Sequence, residues 1–379
     1  MKSVGIYIHI PFCERKCLYC DFNSYSDKKE LIKDYLEGLK QEIKQHRGKL
    51  EGFEAESIYI GGGTPSLLSG KEMESIMQAL EENIKIRAGA EISMEANPGT
   101  LNKENLKVYF SSGINRLSMG LQACQEELLS KLGRIHSYQD FLNNLEDARA
   151  VGFRNINVDL MFALPLQGLK EWEASLIQLI RLDIPHISAY SLIWEEGTAF
   201  EGLRDKKLLS PVDEELELHM FHAARSILKN NGYNYYEISN YAKPGFECRH
   251  NIVYWENQSY IGMGAGAHSY FNNRRYSNEA SIEGYLKAIE KTVNPVKEII
   301  ELSIADEISE TMFLGLRMTK GIAIEAFKKR FGATPMEVYP EILPKLRGDG
   351  LIAYNEEKIV LTDKGIDLAN LVFQELLID

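Results

Sequence analysis

Tyr7-Ile8-His9-Ile10-Pro11-Phe12-Cys13-Glu14-Arg15-Lys16-Cys17-Leu18-Tyr19-Cys20 is the stretch from which the organisation of this 379-residue chain can be read. An apolar β-type run, Val4 to Ile10, is stopped by Pro11, and three of the five cysteines follow within eight residues. Spacings of three and then two residues bring three thiolates round one centre. A zinc site wants a fourth Cys or His close by, and Asp21 and Phe22 come next instead. Three thiolates on a 4Fe-4S cubane leave one iron without a protein ligand. That iron can take a small chelator, and a low-potential cluster can pass it one electron. The competing readings are a zinc knuckle and three unconnected packed cysteines.

Composition bounds the rest. A chain of 379 residues with 44% hydrophobic residues can bury a full core and has room for two or three domains. It contains no apolar run long enough to span a bilayer and no leader-like pattern, so a soluble, cytoplasmic protein is expected. Cys124 and Cys248 stand alone, which is no disulfide framework and suits a reducing compartment. A formal net charge of -12 argues against a nucleic-acid backbone as main partner.

Strand-like and helix-like patterns alternate six times. The strand runs are Val4–Ile10, Ser57–Ile60, Glu91–Glu95, Arg116–Gly120, Asn155–Leu160 and His186–Leu192. The helical patterns between them are Leu31–Gln45, Lys71–Asn83, Lys103–Ser112, Gln125–Leu132 running into Tyr138–Val151, and Leu169–Arg181. Such alternation predicts an α/β fold with a parallel sheet and outer helices, here a partial (β/α)6 barrel. A doubly wound open sheet is the rival. Ligands gather at the carboxyl ends of parallel strands, and six polar strand ends fall on that one rim. They are the cysteine loop, Gly61-Gly62-Gly63-Thr64-Pro65, Glu95-Ala-Asn97-Pro98, Gly120-Leu-Gln122, Asp159 before Leu164-Pro165, and Tyr190-Ser191. The triple glycine is neither a dinucleotide fingerprint nor a Walker loop. Bare glycines permit close approach of a ligand to the backbone, or simply make a tight turn.

Cys13-x-x-x-Cys17-x-x-Cys20, with Tyr19 before the last Cys, resembles the signature of radical S-adenosylmethionine (SAM) proteins. The resemblance implies that SAM chelates the open iron and that Gly62, Gly63 and Thr64 meet the methionyl amine. The wider pattern of Tyr7, the Gly-Gly-Gly-Thr-Pro run, Glu95, Gln122, Arg134 in Gly-Arg-Ile-His, and Asp159 is similar to the branch around oxygen-independent coproporphyrinogen III dehydrogenase. There these positions bind SAM, with Ile193 a weaker match. Two departures stand out: Phe22 occupies the place of a further Cys, and only twelve residues precede Cys13. Cys20-Asp-Phe-Asn-Ser24, Met94-Glu-Ala-Asn-Pro-Gly-Thr100 and His250-Asn251-Ile-Val-Tyr254-Trp255 instead resemble the sister group, the HemW-type heme chaperones.

A heme iron wants an axial donor beside a flat apolar surface, and His250 next to Tyr254 and Trp255 supplies both types. The plain alternative is a histidine hydrogen-bonded within an aromatic cluster. Cys248 is a competing ligand and His268 a second candidate. Pro211–Gly232 reads as an amphipathic helix, and Tyr233–Tyr241 as a β-rich cover for the barrel's open edge. A break at Asn294-Pro295 begins a last domain. It has helices at Ser303–Leu316, Ala323–Phe331 and Pro335–Gly348, a hairpin at Leu351–Tyr354 and Lys358–Leu361, and a closing helix from Asp363. That is a winged-helix-like α+β module. With 10 Lys+Arg against 15 Asp+Glu from Val296 onward, it suits protein contact or lid duty rather than DNA. The expected division is 1–200 barrel, 201–294 capping extension, 295–379 module. Three function classes follow: a heme chaperone carrying 4Fe-4S, SAM and heme for heme-acceptor proteins; a porphyrinogen dehydrogenase; and a structural iron–sulfur protein. Phe22, the short N-terminus and the His250–Trp255 motif favour the first, with a homodimer left open.

Overall fold

Period-2 alternation builds the centre of the molecule, whose computed structural model describes residues 1–292 and 294–378. Strands β1 (Lys2–Ile10), β2 (Phe53–Gly62), β3 (Ile86–Ala96), β4 (Arg116–Gln122), β5 (Asn155–Phe162) and β6 (His186–Ser191) pair in parallel, each with the next. Strand order therefore follows chain order, which excludes the doubly wound rival, where the order reverses at an internal strand. Apolar members such as Ile8, Ile60, Met94, Met119, Val158 and Ile187 are fully buried, or nearly so, in the main core with the outer helices. Each contributes about 1.5–3 kcal/mol. Their polar alternates face one another across the concave side: Tyr7, Tyr59, Ser93, Ser118, Asn157 and Ser188.

Helices α1 (Ile32–Lys49), α2 (Gly70–Asn83), α3 (Lys103–Ser111), α4 (Glu126–Lys131), α5 (Tyr138–Val151) and α6 (Leu169–Arg181) alternate with the strands as the sequence predicts. After α7 (Ala199–Asp205) and α8 (Glu214–Asn230) come β7 (Asn234–Glu237) and β8 (Asn240–Ala242), and β8 pairs antiparallel with β6. The β-rich segment thus covers that edge. Helix α9 (Arg249–Trp255) precedes β9 (Tyr260–Met263), which pairs in parallel with β1 on its other side. Strands β10 (His268–Phe271) and β11 (Arg274–Asn278), helix α10 (Ile282–Thr292) and strand β12 (Val296–Glu301) follow, and the three strands extend the sheet antiparallel to twelve. The separation expected at 294–295 thus lies before a strand that still belongs to this sheet.

A second core begins with α11 (Ile304–Leu316). It includes β13 (Ile322–Ala323), α12 (Ile324–Phe331), α13 (Pro335–Val338) and α14 (Ile342–Gly348). Strands β14 (Ile352–Tyr354) and β15 (Lys358–Leu361) and helices α15 (Asp363–Asp367) and α16 (Ala369–Glu375) complete the winged-helix-like module. The single helix expected over Pro335–Gly348 is two. Pro340 has no N–H to continue the first, and Tyr339 before it sits at φ -120 and ψ 57, outside the helical region. The closing helix likewise breaks, at Leu368. The module docks through Thr319, whose N–H and hydroxyl donate to the Tyr236 and Tyr235 carbonyls at 3.1 and 2.8 Å. Among the described residues no helix is long and apolar enough to cross a membrane.

Candidate active site at the carboxyl ends of the strands

Pro11 turns the chain out of β1 into a loop held at several points. Cys13 N–H donates to the Tyr25 carbonyl at 2.9 Å, Tyr25 N–H to that of Pro11 at 2.8 Å, and Leu18 N–H to that of Leu132 at 3.1 Å. Asn23 ties the loop to a distant part of the chain, donating to the Ala265 and Ala280 carbonyls at 3.1 and 2.8 Å, while His9 Nε2 bonds the Asn23 carbonyl at 2.8 Å. Cys13, Cys17 and Cys20, all free thiols, line one cavity of about 330 Å³. Burial pushes the Cys17 and Cys20 thiols above their usual range. Among the described residues no three His, Cys, Asp or Glu are grouped tightly enough for one metal ion.

The opposite wall comes from the strand ends. Gly62, Gly63, Glu95, Gln122, Asp159 and Ile193 line the same cavity, as do Tyr19 and Arg134. Glu95 accepts from the Tyr59 hydroxyl at 2.9 Å and from the Gly62 N–H at 3.0 Å. Burial, reinforced by Asp159, pushes its carboxyl up to about 7. Burial also raises Asp159, which Asn157 and Ser118 hold by hydrogen bonds. Arg134 donates to Asn97 Oδ1 at 2.8 Å and to the Tyr19 hydroxyl at 2.7 Å, leaving its buried Nε unpartnered among the described residues. Gln122 adopts φ 72, and the Tyr190 hydroxyl donates to its Oε1 at 2.9 Å. The glycines serve the protein's own packing as well as the cavity. A Cβ on Gly62, at φ 112, would lie 2.4 Å from the His9 ring, and one on Gly63 would lie 2.6 Å from the Phe12 carbonyl.

Two expected residues stand just outside. Thr64 lies behind Cys13, its hydroxyl 3.5 Å from the Cys13 sulfur, and Tyr7 lies a layer deeper, bonded to His9 Nδ1 at 3.0 Å. His250 lies away from this cavity. It is 1% exposed at the amino-terminal end of the strands, with Ser57 Oγ 2.9 Å from Nδ1 and the Tyr254 hydroxyl 2.9 Å from Nε2. Burial, reinforced by the Arg116 charge, pushes it down to about 3. Both ring nitrogens are thus hydrogen-bonded inside the barrel. Cys248 is also buried there, its thiol on Glu91. His268 is exposed on β10. Sequence reasoning passed over Tyr59, although it belongs to the polar half of the β2 alternation, and it read Asn97 and Tyr190 only as polar strand ends on the rim.

Three free thiols, the unpartnered Arg134 Nε and the carboxylates of Glu95 and Asp159 fit a 4Fe-4S cluster and a zwitterionic cationic ligand such as SAM. The radical SAM superfamily model matches residues 7–179, and the HemN C-terminal domain model matches residues 302–368. The Bacillus subtilis (strain 168) protein named heme chaperone HemW is 40% identical over 98% of this chain and 98% of its own length. The chain belongs to the HemW family. Its counterpart of that name in Lactococcus lactis subsp. lactis (strain IL1403) is 39% identical over 100% of this chain and 98% of its own. The HemW of Escherichia coli (strain K12) is 43% identical over 71% of this chain and 70% of its own. Coproporphyrinogen III oxidase (HemN) from Escherichia coli, a solved structure, superposes with a TM-score of 0.87, covering 99% of this chain and 90% of the other. At 23% identity that likeness shows the fold. Membership of the radical SAM superfamily implies an iron–sulfur cluster and SAM.

Proposed function

We propose that this protein binds heme and delivers it to heme-acceptor proteins in the cytoplasm, on a scaffold that carries a 4Fe-4S cluster and SAM. Cys13, Cys17 and Cys20 would hold the cluster. Gly62, Gly63 and Glu95 would receive the SAM amine, and the free Nε of Arg134 suits its carboxylate. Tyr19, Gln122, Asp159 and Ile193 would complete the pocket, with Tyr7 and Thr64 supporting it from behind. A bound cluster would supply one-electron chemistry. Residues 1–200 would hold these groups, the segment from 201 through β12 would brace them, and the acidic module that begins with α11 would meet a partner protein.

The observation that carries the chaperone reading over the dehydrogenase is Phe22. It is 60% exposed on the cavity wall, where the dehydrogenase branch continues with a Cys. Together with Ile193, 66% exposed, it gives the mouth an apolar lip suited to a macrocycle. The names of the full-length relatives support the same reading. The test is to reconstitute the protein anaerobically, titrate heme, and in parallel supply coproporphyrinogen III with SAM and a reductant. Heme should bind without added substrate, and the porphyrinogen should persist. Robust conversion of coproporphyrinogen III without heme affinity would reverse the assignment.

A further inference from the structure

We propose that His250 and Tyr59 are positioning residues that set the Glu95 carboxylate at the wall of the cavity from beneath, so that the His250-Asn-x-x-Tyr254-Trp255 helix serves SAM binding and not heme ligation. The inference rests on the cavity being the SAM site. The contacts form a continuous column. Ser57 and Tyr254 hold the two ring nitrogens of His250 at 2.9 Å each, which fixes the plane of the imidazole. Tyr254 also meets the ring edge-on, with centroids 4.8 Å apart. The imidazole stacks on Tyr59 at 5.3 Å and 26°, and Tyr7 stacks on Tyr59 at 6.3 Å and 22°.

The phenol held by these rings ends in the hydroxyl that donates to Glu95 Oε1, while the Gly62 N–H takes Oε2. Glu95 thus has both oxygens anchored, and its orientation depends on an aromatic ring whose own placement depends on His250. A carboxylate with a free rotor must give up that freedom to meet a ligand amine, whereas one already fixed does not. The packing at the base is close. A Cβ on Gly5 would lie 3.1 Å from Val253 Cγ1 and 3.4 Å from His250 Cε1, so no space for a macrocycle opens between β1 and this helix.

The test uses the reconstituted full chain with SAM and, as a probe lacking amine and carboxylate, 5′-methylthioadenosine. Tyr59→Phe removes one hydrogen bond to a charged group without changing ring volume and should weaken SAM about tenfold. His250→Ala should weaken it at least as much. Iron content, methylthioadenosine binding and heme affinity per folded molecule should each stay within about twofold in both variants. Undiminished SAM affinity in Tyr59→Phe would overturn the proposal. So would a parallel loss of iron or of methylthioadenosine binding, because the fold would then be the cause. Loss of heme affinity in His250→Ala with SAM affinity intact would restore the histidine as a heme ligand. Absence of SAM binding in the wild-type chain would strike down the reading of the cavity and the proposal with it.

Discussion

The five cysteines divide by position, and their division makes a direct prediction. Cys13, Cys17 and Cys20 share the cavity, Cys124 is buried in the main core, and Cys248 donates to Glu91 at the opposite end of the barrel. Replacing any of the first three by Ala should abolish the 4Fe-4S absorption and iron content after anaerobic reconstitution, while Cys124→Ala and Cys248→Ala should keep both. This much was legible because a ligand spacing is itself local. The fate of His250 was not, since the Ser57 that occupies its Nδ1 lies 193 residues away. That buried ring has a second consequence. Held at about 3 against about 6.5 in an unfolded chain, it refuses a proton that the unfolded state accepts between those values. The stability contributed by the neutral ring is complete above pH 6.5 and is lost as pH falls, by up to about 1.4 kcal/mol per pH unit. Urea melts of the apo protein at pH 6 and pH 4 should therefore show a smaller acid loss in His250→Gln than in wild type.

At the scale of elements, the strands were legible to within a few residues because their apolar members alternate. The polar members were read one at a time, at strand ends, and their common inward face appears only when the registers are known. Helix α9 shows the limit of local reading most clearly. It is seven residues long, too short to hold itself together, and its first N–H groups are satisfied from outside. Glu91 Oε1 accepts from Arg249 N–H at 3.0 Å and from His250 N–H at 3.4 Å. An acidic group at that end also opposes the positive end of the helix dipole. Glu91→Ala should cost about 1–2 kcal/mol and speed amide hydrogen exchange in residues 249–255 more than elsewhere, measured by mass spectrometry. Pro340, by contrast, was visible in the sequence, and its effect on the helix pattern was overlooked.

Across the whole molecule, polar contacts join the barrel and the C-terminal module at several places, among them Arg225–Asp363, Arg275–Glu310, the buried Tyr270–Glu307 hydrogen bond and a cation set over a buried acid. Arg317 lies over the Trp255 ring at 4.4 Å and 3.8 Å from Glu237 Oε2, and the Glu237 side chain is fully buried with its carboxyl raised by that burial. Arg317→Met would leave a buried acid without its cation, at a cost of about 3 kcal/mol. Denaturant unfolding should then separate into two steps, the module exchanging its amides before the barrel does. The existence of this module was legible from its helix and hairpin pattern, whereas its seat on β7 needed the tertiary contact of Thr319. A different consequence follows from Asn23. Its side-chain amide bonds to carbonyls 242 and 257 residues further along, and β1, which leads into its loop, is flanked on one side by a strand that begins at Tyr260. At roughly 5–20 residues per second of synthesis, the cysteines leave the ribosome tens of seconds before the segments that brace them. The cysteine loop is thus made early and secured late, and iron delivered before residue 280 has emerged meets three thiols on an unfastened loop.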